Sequence, residues 1–155
     1  MPVGYIVDMF GHTAGTPMIL AGFGLKGAVL WRGIGDEECG AQFVWRGPDG
    51  SGIPVHKLSD DGGYARADAW PRGSDGGYDA EYARAEFERF CKEETERANA
   101  PLMYVSDALD HRMACEAVPK MLAGLREAFP EIEFVHGTIE QYFDELSAHA
   151  DKLPQ

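Results

Sequence analysis

Two short runs without a single charge limit what this chain can fold into. Gly4-Tyr5-Ile6-Val7 ends at Asp8, and Ala28-Val29-Leu30-Trp31 ends at Arg32. Both are rich in β-branched or aromatic residues, which fit a pleated surface. A continuous apolar run of this kind suits a strand covered on both faces, as in a parallel sheet. Between the two runs, Pro17 to Phe23 reads as a short helix, with Pro17 in the first turn and Gly24 as its stop. Strand, helix, strand is the unit of an α/β architecture.

The texture then changes. Gln42 to Arg46 and Ile53 to Leu58 flank Gly47-Pro48-Asp49-Gly50-Ser51-Gly52, and Pro-Asp-Gly is strong turn chemistry. A hairpin is expected, with Pro54 placing its second arm at a sheet edge. Ser59 to Tyr78 is rich in Gly and Asp and reads as a long loop carrying Tyr64 and Trp70. Helical periodicity follows, with Ala83, Phe87, Phe90, Cys91 and Ala98 on one face and Pro101 closing the helix. Leu102 to Val105 reads as a third buried strand, ending at Ser106-Asp107. Val118, Met121, Leu122, Leu125, Ala128 and Phe129 mark another amphipathic helix. Ile132 to Val135 reads as a fourth strand. Thr138 and Gln141 form a capping box for a last helix with Ile139, Tyr142, Phe143 and Leu146 on its face.

The fold class expected is therefore α/β: a partial (β/α) barrel-like domain of parallel strands flanked by helices, plus one β-hairpin. No repeat and no domain boundary is visible, so residues 1–155 read as one domain. In such sheets the carboxyl ends of the strands form the site. Asp8, Arg32 and Asp107 all stand at expected strand ends. Each is also a residue type that caps helices or makes turns.

Composition narrows the function. With 14 basic and 26 acidic residues the net charge is −12, which repels phosphate backbones and argues against a nucleic-acid partner. No apolar run approaches the length of a membrane span. The first residues do not read as a signal peptide, so the default location is cytoplasmic and no membrane partner is expected. Cys39, Cys91 and Cys115 are odd in number and far apart, which suggests idle thiols rather than a disulfide framework.

Residues 4–12, Gly-Tyr-Ile-Val-Asp-Met-Phe-Gly-His, are followed by Pro17, Ile19-Leu20, Gly22-Phe23-Gly24 and Val29-Leu30-Trp31-Arg32-Gly33. Then come Phe43-Val44-Trp45, Gly47-Pro48-Asp49-Gly50-Ser51, and finally Gly137-Thr138-Ile139-Glu140-Gln141-Tyr142-Phe143. In this order the set resembles the catalytic core of the family 38 α-mannosidases, most of all the bacterial members. The resemblance is weakest between Asp60 and Ala98. It covers a middle section of the family's first domain, a seven-stranded (β/α) barrel.

The resemblance implies retaining hydrolysis of terminal α-mannosides with zinc, on a mannoside or oligosaccharide substrate. Asp8 would be both nucleophile and metal ligand. A retaining glycosidase needs such a carboxylate and a second carboxyl group ~5 Å away. Phe10 would line the mannose pocket and Arg32 would orient the Asp8 carboxylate. Asp107 would be the acid/base, with Asp110 as the alternative, either being equally a helix-cap residue. Tyr64 would match a pocket tyrosine. His12 belongs to the motif and is expected to support its turn rather than bind metal.

Departures matter as much. In the family a His-x-Asp pair lies upstream of the strand that Gly4 to Asp8 resembles, whereas the His-x-Asp of this chain, His149-Ala150-Asp151, lies at its other end, and His149 comes too soon to match the family's last zinc histidine. Gly15 and Met18 replace the usual glutamines. One carboxylate holds zinc weakly, since zinc sites normally use three or four protein ligands. The chain alone is thus expected to bind zinc weakly or not at all and to hydrolyse little, needing the remainder of a catalytic domain or another chain. The alternative is a non-catalytic α/β domain that binds a carbohydrate or a protein. A deacetylase-like metalloenzyme would need histidine pairs, which His12, His56, His111, His136 and His149 do not form. Exposed sheet edges invite pairing, so either a homo-oligomer or a covering of both edges is expected.

Overall fold

The computed structural model describes residues 2–73 and 75–155. They form two compact units, the first comprising Met1–Gly63, Arg97–Tyr104 and Gly137–Gln155, the second Tyr64–Glu96 and Val105–His136.

The first unit is built on a four-stranded sheet in the order β1-β2-β4-β3. β1 (Val3–Ile6) pairs in parallel with β2 (Gly27–Leu30), and β2 in parallel with β4 (Gly52–Lys57). β3 (Gln42–Arg46) runs antiparallel to β4. The sheet is thus mostly parallel, with the hairpin as its one antiparallel pair. Every residue of β2 is buried, as its apolar sequence requires. Ala28, Leu30, Ile53 and Val55 form the core, with Ile6, Leu20, Leu25, Phe43 and Trp45 packed around them.

Helix α1 (Thr16–Gly22) starts with Pro17 in its first turn and stops where Gly24 turns to φ +70°, which a residue without Cβ adopts freely. Helix α4 (Ile139–Ser147) opens on the capping box: Gln141 N–H donates to Thr138 Oγ1 and Thr138 N–H to Gln141 Oε1. Its Phe143 and Leu146 are fully buried. Phe143 packs so closely on β2 that a Cβ on Gly27 would lie 2.1 Å from its ring.

The hairpin turn is held by Asp49, whose Oδ1 accepts from the Ser51 backbone at 2.9 Å and from Ser51 Oγ at 2.6 Å. Pro54 does not put β4 at an edge. It pairs with Val44 of β3, but β2 begins to flank β4 only at Val55, so the missing N–H of proline falls where no second neighbour asks for it. The outer side of β3 is engaged as well: Val44 N–H donates to the Pro154 carbonyl at 2.8 Å, and Arg46 Nε to Gln155 Oε1 at 2.7 Å.

The second unit has its own core of Ala67, Trp70, Ala83, Phe87, Phe90, Met121 and Leu125. Helix α2 (Ala80–Arg97) and helix α3 (Val118–Ala128) each turn their apolar face into it. The long loop after Ser59 is no loose connection. It makes a short 3-10 turn at Gly63–Ala65 and buries Trp70 against Phe87 and Phe90.

Two expected strands are absent. Leu102 to Val105 joins no ladder, and Met103 and Val105 are exposed. In the first unit the outer side of β3 is met at Val44 by Pro154, while the Leu102 carbonyl is satisfied by the Gln42 side chain at 2.8 Å. Ile132 to Val135 joins no ladder either. Its alternation packs Ile132 and Phe134 on the second core, and the Phe134 carbonyl accepts from Arg126 instead of a strand. Among the described residues no helix is long and apolar enough to cross a membrane.

Candidate active site

β1 and β2 end side by side, and their register is carried past the strands by one bond, Arg32 N–H to the Val7 carbonyl at 3.1 Å. This sets Asp8 and Arg32 next to each other at the carboxyl edge of the sheet. Arg32 Nε donates to Asp8 Oδ1 at 2.6 Å. The pair is open to solvent, the Asp8 side chain 56% and that of Arg32 36% exposed, so its energetic contribution is small and its value is orientation. The Arg32 guanidinium also lies 3.9 Å from the Trp31 ring centroid and 5.2 Å from that of Phe10. Stacking of this kind holds a planar cation in one pose.

Phe10 is 84% exposed, a large ring in water with little to bury it. A cleft opens beside it, lined by Phe10, Trp31, Arg32, Ile34, Glu38 and Asp60. His12 stands behind this edge: its Nε2–H donates to the Arg32 carbonyl at 2.8 Å and its ring meets Trp45 edge-on. It supports the turn, as expected of it. Asp8, Phe10, Arg32 and His12 are thus brought together by the structure.

Asp107, Asp110 and Tyr64 belong to the second unit. The Asp107 side chain is 29% exposed and lies 4.0 Å from Arg72, outside hydrogen-bond range. Burial pushes its carboxyl above the ordinary value, and the Asp68 charge adds to this while Arg72 opposes it. A raised carboxyl is what a general acid needs near neutral pH. Arg72 is held elsewhere, 3.1 Å from the Asp68 carboxylate and donating to the carbonyls of Asp68 and Met113. Tyr64 Oη donates to Asp110 at 3.4 Å. The next residue, His111, has φ +60°, a strained conformation for a side chain of its size.

The sequence reading missed a second cluster. Lys57 ends β4 as Asp8 ends the β1 run, yet inside a hairpin arm its charge drew no notice. Its side chain is fully buried and donates to Asp36 at 2.7 Å and to Asp60. The rule that strand ends carry the site, applied to β4, would have found it.

Zinc does not fit the residues present. Among the described residues no three His, Cys, Asp or Glu side chains gather to hold a metal ion. The Asp8 carboxylate is a single donor whose Oδ1 already accepts from Arg32.

The model of the glycosyl hydrolases family 38 N-terminal domain matches residues 1–155. The chain belongs to glycoside hydrolase family 38. A family relative named "Putative mannosylglycerate hydrolase", from Halalkalibacterium halodurans, is 21% identical over 99% of this chain and 17% of its own length. The crystal structure of an alpha-mannosidase from Enterococcus faecalis V583 superposes with a TM-score of 0.80 at 25% identity, over all of this chain and 17% of the other. The family 38 chain described here therefore spans about one sixth of the length of these relatives.

Proposed function

We propose that this chain carries the nucleophile side of a retaining glycosidase acting on terminal α-mannosides. The observation that carries the reading is the Asp8–Arg32 pair at the sheet's carboxyl edge, in a chain that belongs to family 38. Asp8 attacks the anomeric carbon and forms a glycosyl ester. Arg32, whose Nε donates to Asp8 Oδ1, holds that carboxylate in one orientation. The exposed ring of Phe10 offers an apolar face to the sugar. Asp107, whose carboxyl is raised by burial, is proposed to give its proton to the leaving oxygen and then to take one from the water that attacks the anomeric carbon and releases Asp8 as a carboxylate. Tyr64 binds substrate hydroxyls.

Zinc assistance enters only through donors other than those described, since Asp8 alone makes no zinc site. For this reason the 155-residue chain by itself is proposed to be inactive or nearly so, and to work within a larger catalytic domain.

The test uses a nitrophenyl α-mannoside. The chain alone, with added zinc, should show little turnover. Placed in a complete catalytic domain it should turn over, and Asp8→Asn should then lower kcat by about three orders of magnitude or more. Full activity in Asp8→Asn overturns the nucleophile assignment. Turnover by the chain alone comparable to the complete domain overturns its incompleteness.

A further inference from the structure

The Lys57 cluster has a geometry that solvation alone does not require. A buried ammonium persists only with close partners, and Lys57 draws its two from different loops. Asp36 comes from the loop after β2, and Asp60 from the segment after β4. The loops also cap each other. Asp36 N–H donates to Asp60 Oδ2 at 3.0 Å, and Asp60 N–H donates to Asp36 Oδ2 at 2.8 Å. Ser59 Oγ adds a bond to Asp36 at 3.3 Å. Arg97 brings a second cation, 2.8 Å from Asp36 Oδ1, and donates to the Lys57 carbonyl at 3.0 Å. Burial would raise the Asp36 carboxyl, but these donors and charges outweigh it and hold it below the ordinary carboxylate value. Two cations and two anions thus close a nearly neutral knot at the carboxyl end of β4.

What the knot ties is one wall of the cleft beside Asp8. Gly33, Ile34, Gly35 and Glu38 line that cleft from the Asp36 loop, and Asp60 lines it directly. The Asp60 side chain is 52% exposed, so the carboxylate that bonds Lys57 also fronts the cleft.

We propose that Lys57 is the positioning residue of this cleft: by bridging Asp36 and Asp60 it fixes the 33–38 loop and the Asp60 carboxylate as a preformed wall for a sugar bound beside the Asp8–Arg32 pair. The role of the wall rests on the glycosidase reading above, while the bridge itself does not. A wall fixed in advance spares the bound sugar the cost of ordering it.

Hydrogen exchange on the full chain tests the bridge, using Lys57→Met, Lys57→Arg and Asp60→Asn. Backbone amides of residues 33–38 should exchange at least ~10-fold faster in Lys57→Met and Asp60→Asn, because bonds to charged groups are lost. Amides of β1 and β2 should keep their protection. Lys57→Arg, which retains a cation able to reach both carboxylates, should restore protection to within ~3-fold of the parent. Unchanged exchange at 33–38 in Lys57→Met would show a mere space-filler and overturn the proposal. So would Lys57→Arg exchanging as fast as Lys57→Met. If Lys57→Met does not fold, Asp60→Asn decides, its side chain being half exposed. Unchanged exchange there, or a uniform acceleration across the sheet, overturns the bridge. No substrate is present in these measurements. Loss of the glycosidase reading through Asp8→Asn therefore leaves this result standing, and the reverse holds too.

Discussion

His12 and Arg32 are joined through the arginine's backbone rather than its guanidinium: the imidazole Nε2–H donates to the Arg32 carbonyl at 2.8 Å. The turn after β1 is thereby pinned to the turn after β2, and the guanidinium is left to Asp8. Gly33 allows it. With φ +91°, a Cβ there would sit 3.0 Å from the His12 ring.

His12→Ala should therefore cost about 1–2 kcal/mol in a urea melt, the cost of an unsatisfied part-buried carbonyl. Zinc binding should not change with it. The unmodified chain, titrated by calorimetry, should bind zinc no tighter than the ~micromolar range, far below a closed three- or four-ligand site. Nanomolar zinc binding lost in His12→Ala would show the histidine to be a ligand.

Gly27→Ala should be among the most damaging single changes in the sheet. The new methyl would lie 2.1 Å from Phe143, a fully buried ring with no room to retreat. A loss of ~1–3 kcal/mol or more is expected from overpacking of this kind. Chemical denaturation reads it, and a loss under ~0.5 kcal/mol, the range of ordinary surface changes, would contradict the packing described.

Asp68→Asn should acidify Asp107. The substitution removes a like charge and weakens the hold on Arg72, both of which let Asp107 ionise more easily. Carbon NMR titration of the Asp107 carboxyl should show its pKa fall. In an active catalytic domain the basic limb of the pH–rate profile should move to lower pH, since the acid must be protonated to act. A basic limb that stays in place would remove Asp107 from that role.

Acid should weaken the first unit through His56. Its ring is buried, and Nδ1 lies 2.7 Å from the Tyr142 hydroxyl. Burial, with the positive charges of Arg97 and Lys57, pushes its pKa down from 6.5 to about 3. The unfolded chain therefore binds a proton that the folded chain refuses. Stability should be full above pH ~6.5 and fall by up to ~1.4 kcal/mol per unit as pH drops toward the folded value. Denaturant melts between pH 7 and pH 4 measure the slope, and His56→Phe should flatten it.

Much of this was legible in the residues. Charge-free runs marked β1 and β2, Pro17 with Gly24 marked α1, Asp49-Gly50 marked the hairpin, and Thr138 with Gln141 marked α4. Strand ends marked Asp8 and Arg32 as candidates, and the family resemblance paired them. The failures share one cause. Leu102 to Val105 and Ile132 to Val135 have strand composition, but a strand also needs an available edge, and edges are a property of the assembled sheet. Lys57 was missed for a related reason. Its burial depends on Asp36, Asp60 and Arg97, which lie up to 40 residues away and meet only in the folded unit.

The contact of Val44 with Pro154 gives the sheet a direction of growth. At β3 a proline carbonyl meets the outward N–H of Val44, and proline has no N–H of its own to return. At β1 the described residues place no strand beyond Val3–Ile6. An edge without a strand neighbour is where pairing can extend a sheet, and this edge leads to Asp8. A strand added there would border the carboxylate.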